Sequence, residues 1–280
     1  MTTQKVWFIT GAARGIGSDL AKAALKAGHQ VVATARDPAA VSAEIGQHER
    51  LLPLSMDVTN SASIEQAIHE TLDYFGRIDV LINNAGRFST GFFETVTPDQ
   101  VRDQMEVTFF GTLNVTRAVL PVMRKQRQGH VVTISAARGI VGEPFISIFS
   151  ASKFALEGWM EALGAEVAPF GILTTIVEPG AFRTKPGKDR LRTVFPEISI
   201  EDYAEETKKR IESVKDFYGN EPGHRDKFAT AFISIMDMEQ PPKRWVAGKD
   251  AVDDVIAKGK QLVEDATAYF DLSTSLSHED

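Results

Sequence analysis

Cysteine is missing from this sequence, and so is any cluster of metal-ligating residues. Without a cysteine among 280 residues, neither a disulfide framework nor thiolate chemistry is available. The six histidines lack the close spacing of metal ligands; they are His29, His48, His69, His130, His224 and His278. The sequence therefore predicts no metal centre.

Basic stripes and long apolar runs are lacking as well. A net charge of −7 with 25% charged residues is typical of an acidic protein without a surface for a nucleic-acid backbone. The first apolar run, Val6 to Ile9, is too short for a signal peptide or a membrane span. We therefore expect a cytoplasmic protein with no nucleic-acid partner and no membrane partner.

What the sequence does contain is a regular alternation of short apolar runs and longer amphipathic stretches. Such alternation predicts an α/β fold with a doubly wound parallel sheet in three layers. The apolar fraction of 43% suits a single domain over residues 1–280. The predicted strands lie near residues 6–10, 31–35, 51–56, 79–83, 130–135 and 172–178, and long helical patterns cover 98–126 and 145–169.

After the sixth strand the pattern becomes more polar. Residues 181–240 contain two helical candidates, 200–217 and 225–238, and ligands bind beyond the carboxyl ends of parallel strands. We therefore predict a helical lid over 181–240. A last strand at 244–247 and a helix over 249–268 complete the fold, and residues 273–280 are predicted to be a disordered tail.

A glycine-rich turn follows the first strand and opens the first helix. Glycines allow the backbone to approach a ligand closely, and a helix N-terminus offers free N–H groups and its positive dipole end to a pyrophosphate. A strand-to-helix loop without a ligand is the alternative for such a turn taken alone. The predicted cofactor contacts in the turn are Gly11, Arg14, Gly15, Ile16 and Gly17.

The end of the second strand indicates which dinucleotide is bound. Arg36 stands where an NAD-binding protein usually places an acidic residue on the ribose hydroxyls, and an arginine suits a 2′-phosphate. Arg14 in the glycine turn can reach the same phosphate. We therefore predict NADP(H) as the cofactor, with a solvated loop cation as the alternative for Arg36.

Together these motifs resemble the short-chain dehydrogenase/reductase family from about residue 4 to residue 185. The resemblance implies a Rossmann-type fold and a homo-oligomer formed through the long helices that carry Thr108 and Lys153. It places Asp57 and Val58 at the adenine. The residues that it implies along the central cofactor wall are Asn84, Ala85 and Gly86. The remaining implied cofactor contacts are Lys153 and, by the nicotinamide carboxamide, Pro179, Gly180 and Thr184.

Most of the catalytic groups that this family uses are replaced. The family pattern Tyr-x-x-x-Lys corresponds to Phe149 and Lys153, so the tyrosine hydroxyl is missing. The serine position falls on Ala136, and the asparagine position falls on Thr108. Only Lys153 remains, with an implied contact to the nicotinamide ribose. Losing a general acid costs roughly 10²–10⁴-fold in rate, so ordinary ketone reduction should be severely impaired.

Other groups near these positions are considered as replacements. Ser135 precedes Ala136 on a strand, so its side chain points to the opposite face, and the hydroxyl of Ser150 is a poor acid. Arg138 and Glu143 are candidates for substrate contact, with solvated loop charge as the preferred alternative. The predicted substrate pocket is apolar and contains Phe88, Phe145, Phe149 and Phe182 besides those two charges.

Three functions fit these residues. The first is an NADP(H)-dependent oxidoreductase whose apolar carbonyl, imine or activated-alkene substrate needs little acid–base help. The second is a non-redox protein that binds NADP(H) as a sensor, scaffold, cyclase or isomerase. The third is a laboratory variant of a carbonyl reductase, because Tyr→Phe and Ser→Ala are near-isosteric changes.

Overall fold

The computed structural model describes residues 4–183 and 193–278. Its centre is a parallel sheet of seven strands in the order β3-β2-β1-β4-β6-β7-β9, and a separate ribbon pairs β5 with β8. The strands are β1 Val6–Thr10, β2 Gln30–Ala35, β3 Leu51–Ser55, β4 Val80–Asn83, β5 Phe88–Ser89, β6 Gly129–Ile134, β7 Ile172–Pro179, β8 Thr193–Val194 and β9 Arg244–Ala247.

Helices cover both faces of the central sheet. They are α1 Gly15–Lys26, α2 Pro38–Ile45, α3 Ser61–Phe75, α4 Pro98–Met105, α5 Gly111–Gln126, α6 Ser147–Val167, α7 Glu201–Phe217, α8 Arg225–Met236, α9 Lys249–Ala268 and α10 Phe270–Thr274. Local sequence explains several ends. Thr97 and Gln100 form a capping box at the start of α4, and Gly76 ends α3 in the left-handed conformation.

Alternating strand residues feed two apolar clusters, one on each face of the sheet. In β1, Trp7 and Ile9 belong to the cluster under α1, α2 and α8. Phe8, between them, belongs to the cluster under α3, α5 and α6. A strand buried on both faces needs an unbroken apolar run rather than an alternating one. This is why β1 is apolar from Val6 to Ile9, before it ends at Thr10. The predicted doubly wound sheet with three layers is confirmed.

The predicted lid over 181–240 is too long. Helix α8 packs into the core on the α1 side, where Phe228 and Phe232 are buried, and Arg225 forms an ion pair with Asp19 of α1. Helix α7 is different, because none of its residues is buried. Of the two helices in the described part of the predicted lid, α7 is therefore the one that lies at the surface.

Two further expectations need correction. The pattern over 98–126 is not one regular helix, because Glu106–Phe110 forms a π-helical turn between α4 and α5. The disordered tail is wrong for Ser273 and Thr274, which lie in α10. Among the described residues, no helix is both long enough and apolar enough to span a membrane.

Candidate active site

The glycine turn is packed against the loop that follows β4. The Asn84 side-chain amide donates to the carbonyl oxygens of Thr10 and Gly11, at 2.9 and 3.1 Å. A Cβ at Gly11 would lie 2.9 Å from the Cα of Ala85, and a Cβ at Gly17 would collide with the Asn84 amide. The glycines at these two positions are therefore required by this contact. Asn84 and Ala85, predicted to line the cofactor, hold the turn in place.

The start of α1 is open toward the carboxyl ends of the strands. Gly15 has a φ of +58°, and a Cβ there would meet no atom within 4 Å. The N-cap residue of α1 is Arg14, and its side chain makes no capping hydrogen bond to the helix in the described part of the chain. The first turn of α1 contains no acidic residue. A helix of twelve residues that begins this way has N–H donors and dipole charge available for an anion. The turn therefore fits a pyrophosphate.

Charged and apolar groups meet beside β2 and β3. Arg36, at the end of β2, is exposed, and it lies near enough to Asp57 to favour the ionised carboxylate. The Asp57 pKa is lowered mainly by the backbone N–H of Thr59, 2.9 Å from Oδ1, with a smaller contribution from Arg36. Val58 is buried. Asp37, the only carboxylate beside Arg36 in sequence, instead caps α2 through the N–H of Ala39.

Three of the predicted residues converge at the loop after β4. A Cβ on Gly86 would lie 3.7 Å from Thr108 Oγ1 and 3.9 Å from Lys153 Nζ, so both polar groups face this glycine. Thr108 is fully buried in the π-helical turn, where its hydroxyl accepts from the Arg87 N–H at 3.1 Å. Lys153 Nζ donates to the carbonyl oxygen of Ile134 at 2.8 Å. The two groups share one small space.

Beside Lys153, Phe149 contributes an aromatic ring without a hydroxyl. The ring of Phe149 meets Phe88 edge to face, with ring centres 4.9 Å apart. Lys153 Nζ lies 5.8 Å from the centre of the Phe149 ring, within reach of a cation–π interaction. Ala136 contributes only a methyl group and is buried. This wall of the site is therefore apolar except for the ammonium group.

Burial changes the acidity of that ammonium group. Removal of Lys153 from water lowers its pKa to about 8, and Glu157, one turn further along α6, opposes the shift. A lysine with a pKa close to neutral exchanges its proton far more readily than an exposed lysine. Lys153 is thus the titratable group that faces Gly86.

The hydroxyl of Ser135 lies just beyond the end of β6. It interacts with the carboxyl group of Glu157, whose pKa burial raises to about 7. Arg244 compensates by pairing with Glu157 and with Glu178, 2.8 Å away. Ser150 is buried beside Phe149 in sequence. These contacts place Ser135 beside the ionic cluster of Glu157, Glu178 and Arg244.

Comparison with known proteins identifies the family of this chain. A sequence profile described as short chain dehydrogenase matches residues 5–193. The chain belongs to the short-chain dehydrogenase/reductase family. It is 37% identical over 251 residues to Oxidoreductase BOA17 of Botryotinia fuckeliana, with 89% of this chain and 90% of the relative covered. It is 38% identical to a 3-ketodihydrosphingosine reductase of Bacteroides thetaiotaomicron, with 93% and 94% covered.

A solved structure shows the same fold. The crystal structure of a short-chain dehydrogenase from Streptomyces avermitilis matches with a TM-score of 0.90 and 38% identity, over 99% of this chain and 100% of that chain. A short-chain dehydrogenase from Burkholderia cenocepacia, solved in complex with NADP, matches with a TM-score of 0.71 and 25% identity, over 99% and 100%. The chain is therefore an oxidoreductase scaffold with a nicotinamide-cofactor site.

One residue that organises this short-chain dehydrogenase site was missed in the sequence. Gln104 of α4 is fully buried, and its amide nitrogen lies 3.0 Å from Thr108 Oγ1, Ser152 Oγ and the Arg87 carbonyl oxygen. It therefore ties the π-helical turn to α6. A buried glutamine four residues before Thr108 is a signal that helical spacing could have provided.

The charged residues of the loop after β6, Arg138 and Glu143, form ion pairs within the protein. Arg138 pairs with Glu143 at 2.5 Å and with Asp254 of α9 at 2.9 Å. Both predicted substrate-contact charges are thus engaged in an ion-pair network with α9. The same loop contains Phe145, which is buried against Phe92 at 5.2 Å between ring centres.

The carboxyl end of β7 is held by α9. Asp250 accepts from the N–H of Ala181 at 2.8 Å, and a Cβ at Gly180 would collide with its carboxylate. Gly180 and the preceding Pro179 are therefore fixed at the sheet edge. Phe182 is partly buried and packs on Phe228, 4.7 Å between ring centres, and its place in the pocket wall stays a prediction. Thr184 lies outside the described residues.

Proposed function

We propose that this protein is an NADP(H)-dependent oxidoreductase that acts on an apolar carbonyl, imine or activated-alkene substrate with altered acid–base catalysis. The observation that carries the proposal is the space around Gly86. There Lys153 Nζ and Thr108 Oγ1 face the same point, and the Phe149 ring forms the neighbouring wall. The site keeps a cofactor cradle and lacks the tyrosine acid.

The choice of NADP(H) rests on charge at the end of β2. The exposed guanidinium of Arg36 can pair with a 2′-phosphate, and the neighbouring Asp37 is engaged in capping α2. A carboxylate engaged in this way is not directed at a ribose diol. Positive charge at the end of β2, with Asp37 engaged in capping, favours the phosphorylated cofactor.

Bound NADP(H) supplies or accepts a hydride, and the protein's own groups then handle the proton. Lys153, with its pKa near 8, can hold a proton at Nζ while Ile134 fixes the direction of the ammonium group. Thr108 accepts from two donors, the Arg87 N–H and the Gln104 amide, so its own proton is directed elsewhere. Phe88, Phe149 and Ala136 exclude water from this wall.

These groups favour substrates that need little help from a strong acid. An iminium ion arrives protonated, and reduction of a conjugated alkene leaves an enolate that Lys153 or water can protonate. A neutral ketone lacks the hydroxyl that would stabilise its developing charge. The Bacteroides relative is named as the reductase of a keto compound, which keeps apolar ketones within the proposal.

Binding and turnover measured on one sample test the proposal. Calorimetric titration with NADPH and NADH is followed by NADPH absorbance against ketones, imines and activated alkenes. We expect NADPH to bind more tightly than NADH, Arg36→Ala to remove most of that preference, and one substrate class to turn over. Arg50→Ala is the control, because Arg50 is bonded to the Leu25 carbonyl away from the site. Absence of NADPH binding would refute the cofactor assignment.

A non-redox role is the second candidate, because the Phe149 wall offers no acid beyond Lys153. It predicts tight NADPH binding without hydride transfer to any member of the panel. An enzyme of this kind would use the apolar space for cyclisation or isomerisation. The same titration and absorbance measurements therefore separate the two functions.

A further inference from the structure

The C-terminal helices extend away from the rest of the protein. Helix α9 touches the body only near its start, where Ala251 is its one buried residue. Every described residue from Gly259 to His278 is exposed. A helical segment of this length has little stability alone in water. Something other than the described body of this chain must therefore cover it.

The exposed surface of α9 is not uniformly polar. One face carries apolar or small residues at alternating spacings of four and three, the pattern of a helix–helix seam. The members of this stripe are Val252, Ile256, Gly259, Val263 and Ala266, and Val255, Leu262 and Tyr269 flank it. Ile256 is 53% exposed and Val263 is 65% exposed. Phe270 continues the stripe at the start of α10.

The area involved exceeds what a monomer usually exposes. The largest apolar patch of a typical monomer covers about 300–600 Å², and an aromatic side chain alone buries about 150–250 Å². Tyr269 and Phe270 are 69% and 60% exposed. Their exposed area together approaches about 300 Å², the lower end of the range for such a patch. The aliphatic residues of the stripe add to it over a helix of twenty residues. A patch of this size marks an interaction surface.

We propose that the α9 stripe is a dimer interface in which the helix pairs antiparallel with α9 of a second copy. The two-fold axis crosses the stripe at the height of residue 261 along the helix, and Gln261 itself lies on the opposite face. This register sets Ile256 opposite Ala266 and Gly259 opposite Val263 of the second copy. Each layer thus joins a larger and a smaller side chain. The arrangement is isologous, because the same surface serves both copies.

Charges beside the stripe select this direction. Lysines lie in the middle of α9, at Lys258 and Lys260, and carboxylates follow at Glu264 and Asp265. An antiparallel pair brings Lys258 near Asp265 of the second copy and Lys260 near Glu264 of the second copy. A parallel pair in register would instead set like charges at the same level.

A membrane surface fits this helix less well. Interfacial amphipathic helices carry many lysines or arginines on the polar face. From residue 249 to 271 the chain has more carboxylates than lysines, so an anionic bilayer would repel it. Vesicle binding is therefore an outcome that the test must include.

Light scattering after size-exclusion chromatography tests the interface in the full chain. We expect Val263→Glu to reduce the particle mass by about half, whereas Gln261→Glu, with the same added charge on the opposite face, leaves the mass unchanged. Both positions are exposed, so both variants fold, and equal NADPH binding checks this. A monomeric parent protein, or a Val263→Glu variant of unchanged mass, would overturn the proposal.

Cross-linking tests the direction of the pair, because the chain has no cysteine of its own. In the antiparallel register, Ile256→Cys and Ala266→Cys should cross-link only when the two variants are mixed. Residues 256 of the two copies would lie about 15 Å apart along the axis, too far for a disulfide. Cross-linking of each variant with itself would establish a parallel pair and overturn the proposed register. Sedimentation of a monomer with phosphatidylserine vesicles would overturn the dimer.

Discussion

At the scale of single residues, chemistry depends on a few atoms around Phe149. The ring keeps the shape that a tyrosine would have there, and its contacts with Phe88 and Lys153 are complete without a hydroxyl. A residue that packs this well does not disturb the helix that carries it. A phenylalanine at position 149 is therefore compatible with the cofactor cradle that the glycine turn and the loop after β4 form.

Introducing two hydroxyl groups at the site should increase the rate of carbonyl reduction. The change is Phe149→Tyr combined with Ala136→Ser, which supplies an acid and a hydrogen-bond donor beside Lys153. We expect ketone turnover with NADPH to increase by roughly 10²-fold or more, measured as kcat/KM. The control is the same double change with Lys153→Met, which should remain slow. If turnover does not increase, the pocket has diverged beyond these positions.

The second prediction at this scale concerns the proton on Lys153. Burial lowers its pKa to about 8, so the ammonium form is present below that pH and is lost above it. If Lys153 supplies the proton, kcat for the substrate class that turns over should decrease as pH rises through about 8. Lys153→Met should be slower and lack this transition. A rate independent of pH between 6 and 9 would exclude Lys153 as the donor.

At the scale of elements, the strands and most helices follow directly from the sequence. The mainly apolar runs 6–10 and 172–178 are strands within one residue of their predicted ends, because strands buried on both faces are rich in apolar residues. The π-helical turn and the role of α8 were not predictable in this way. Both depend on tertiary contacts, the first through Gln104 and the second through Phe228 on Trp245.

The candidate site, like the fold, was only partly predictable from the sequence. The residues around Gly86 were identified from motif spacing and lie together in the structure. The partners that engage Arg138 and Ser135 come from α9 and α6, far away in sequence. Spacing along one chain contains no information on such long-range pairs, so the sequence did not predict the partners of these side chains.

The place of α8 in the core leads to a stability prediction. Phe232→Ala removes a fully buried ring that packs on Trp7 and Trp245. We expect it to lower the free energy of unfolding by about 3–5 kcal/mol, measured by urea denaturation. Phe217→Ala on α7 is the matched control, because Phe217 is exposed and should cost little. Equal effects would show that α8 is as loosely attached as α7.

At the scale of the whole molecule, the parallel sheet depends on polar groups that stay neutral inside it. His130 is buried on β6, and its Nε2 lies 2.9 Å from Thr175 Oγ1 of β7. Burial lowers the pKa of His130 to about 3. The unfolded chain would bind a proton at this histidine near the ordinary value of 6.5, whereas the folded chain would not.

Acid should therefore unfold the protein partly through His130. Its lowered pKa contributes stability above pH 6.5 that is lost progressively as pH falls toward 3, by up to about 1.4 kcal/mol per pH unit. We expect His130→Gln to weaken the decline of unfolding free energy between pH 7 and 5, measured by urea titration. His69→Gln, at an exposed position, should leave the decline unchanged. An unchanged slope in His130→Gln would refute this origin.

The π-helical turn has a consequence for how this region can change. Gln104, Thr108, Thr112 and Thr116 are all buried polar residues four positions apart, although an α-helix turns by about 40° beyond one full turn over four residues. The wider turn at Glu106–Phe110 takes up part of this angular drift and keeps the row on one side. Deleting one residue there would rotate the following helix by about 100°. A change of length at this turn would therefore displace every following residue of the row, whereas a substitution would alter the contacts of one residue.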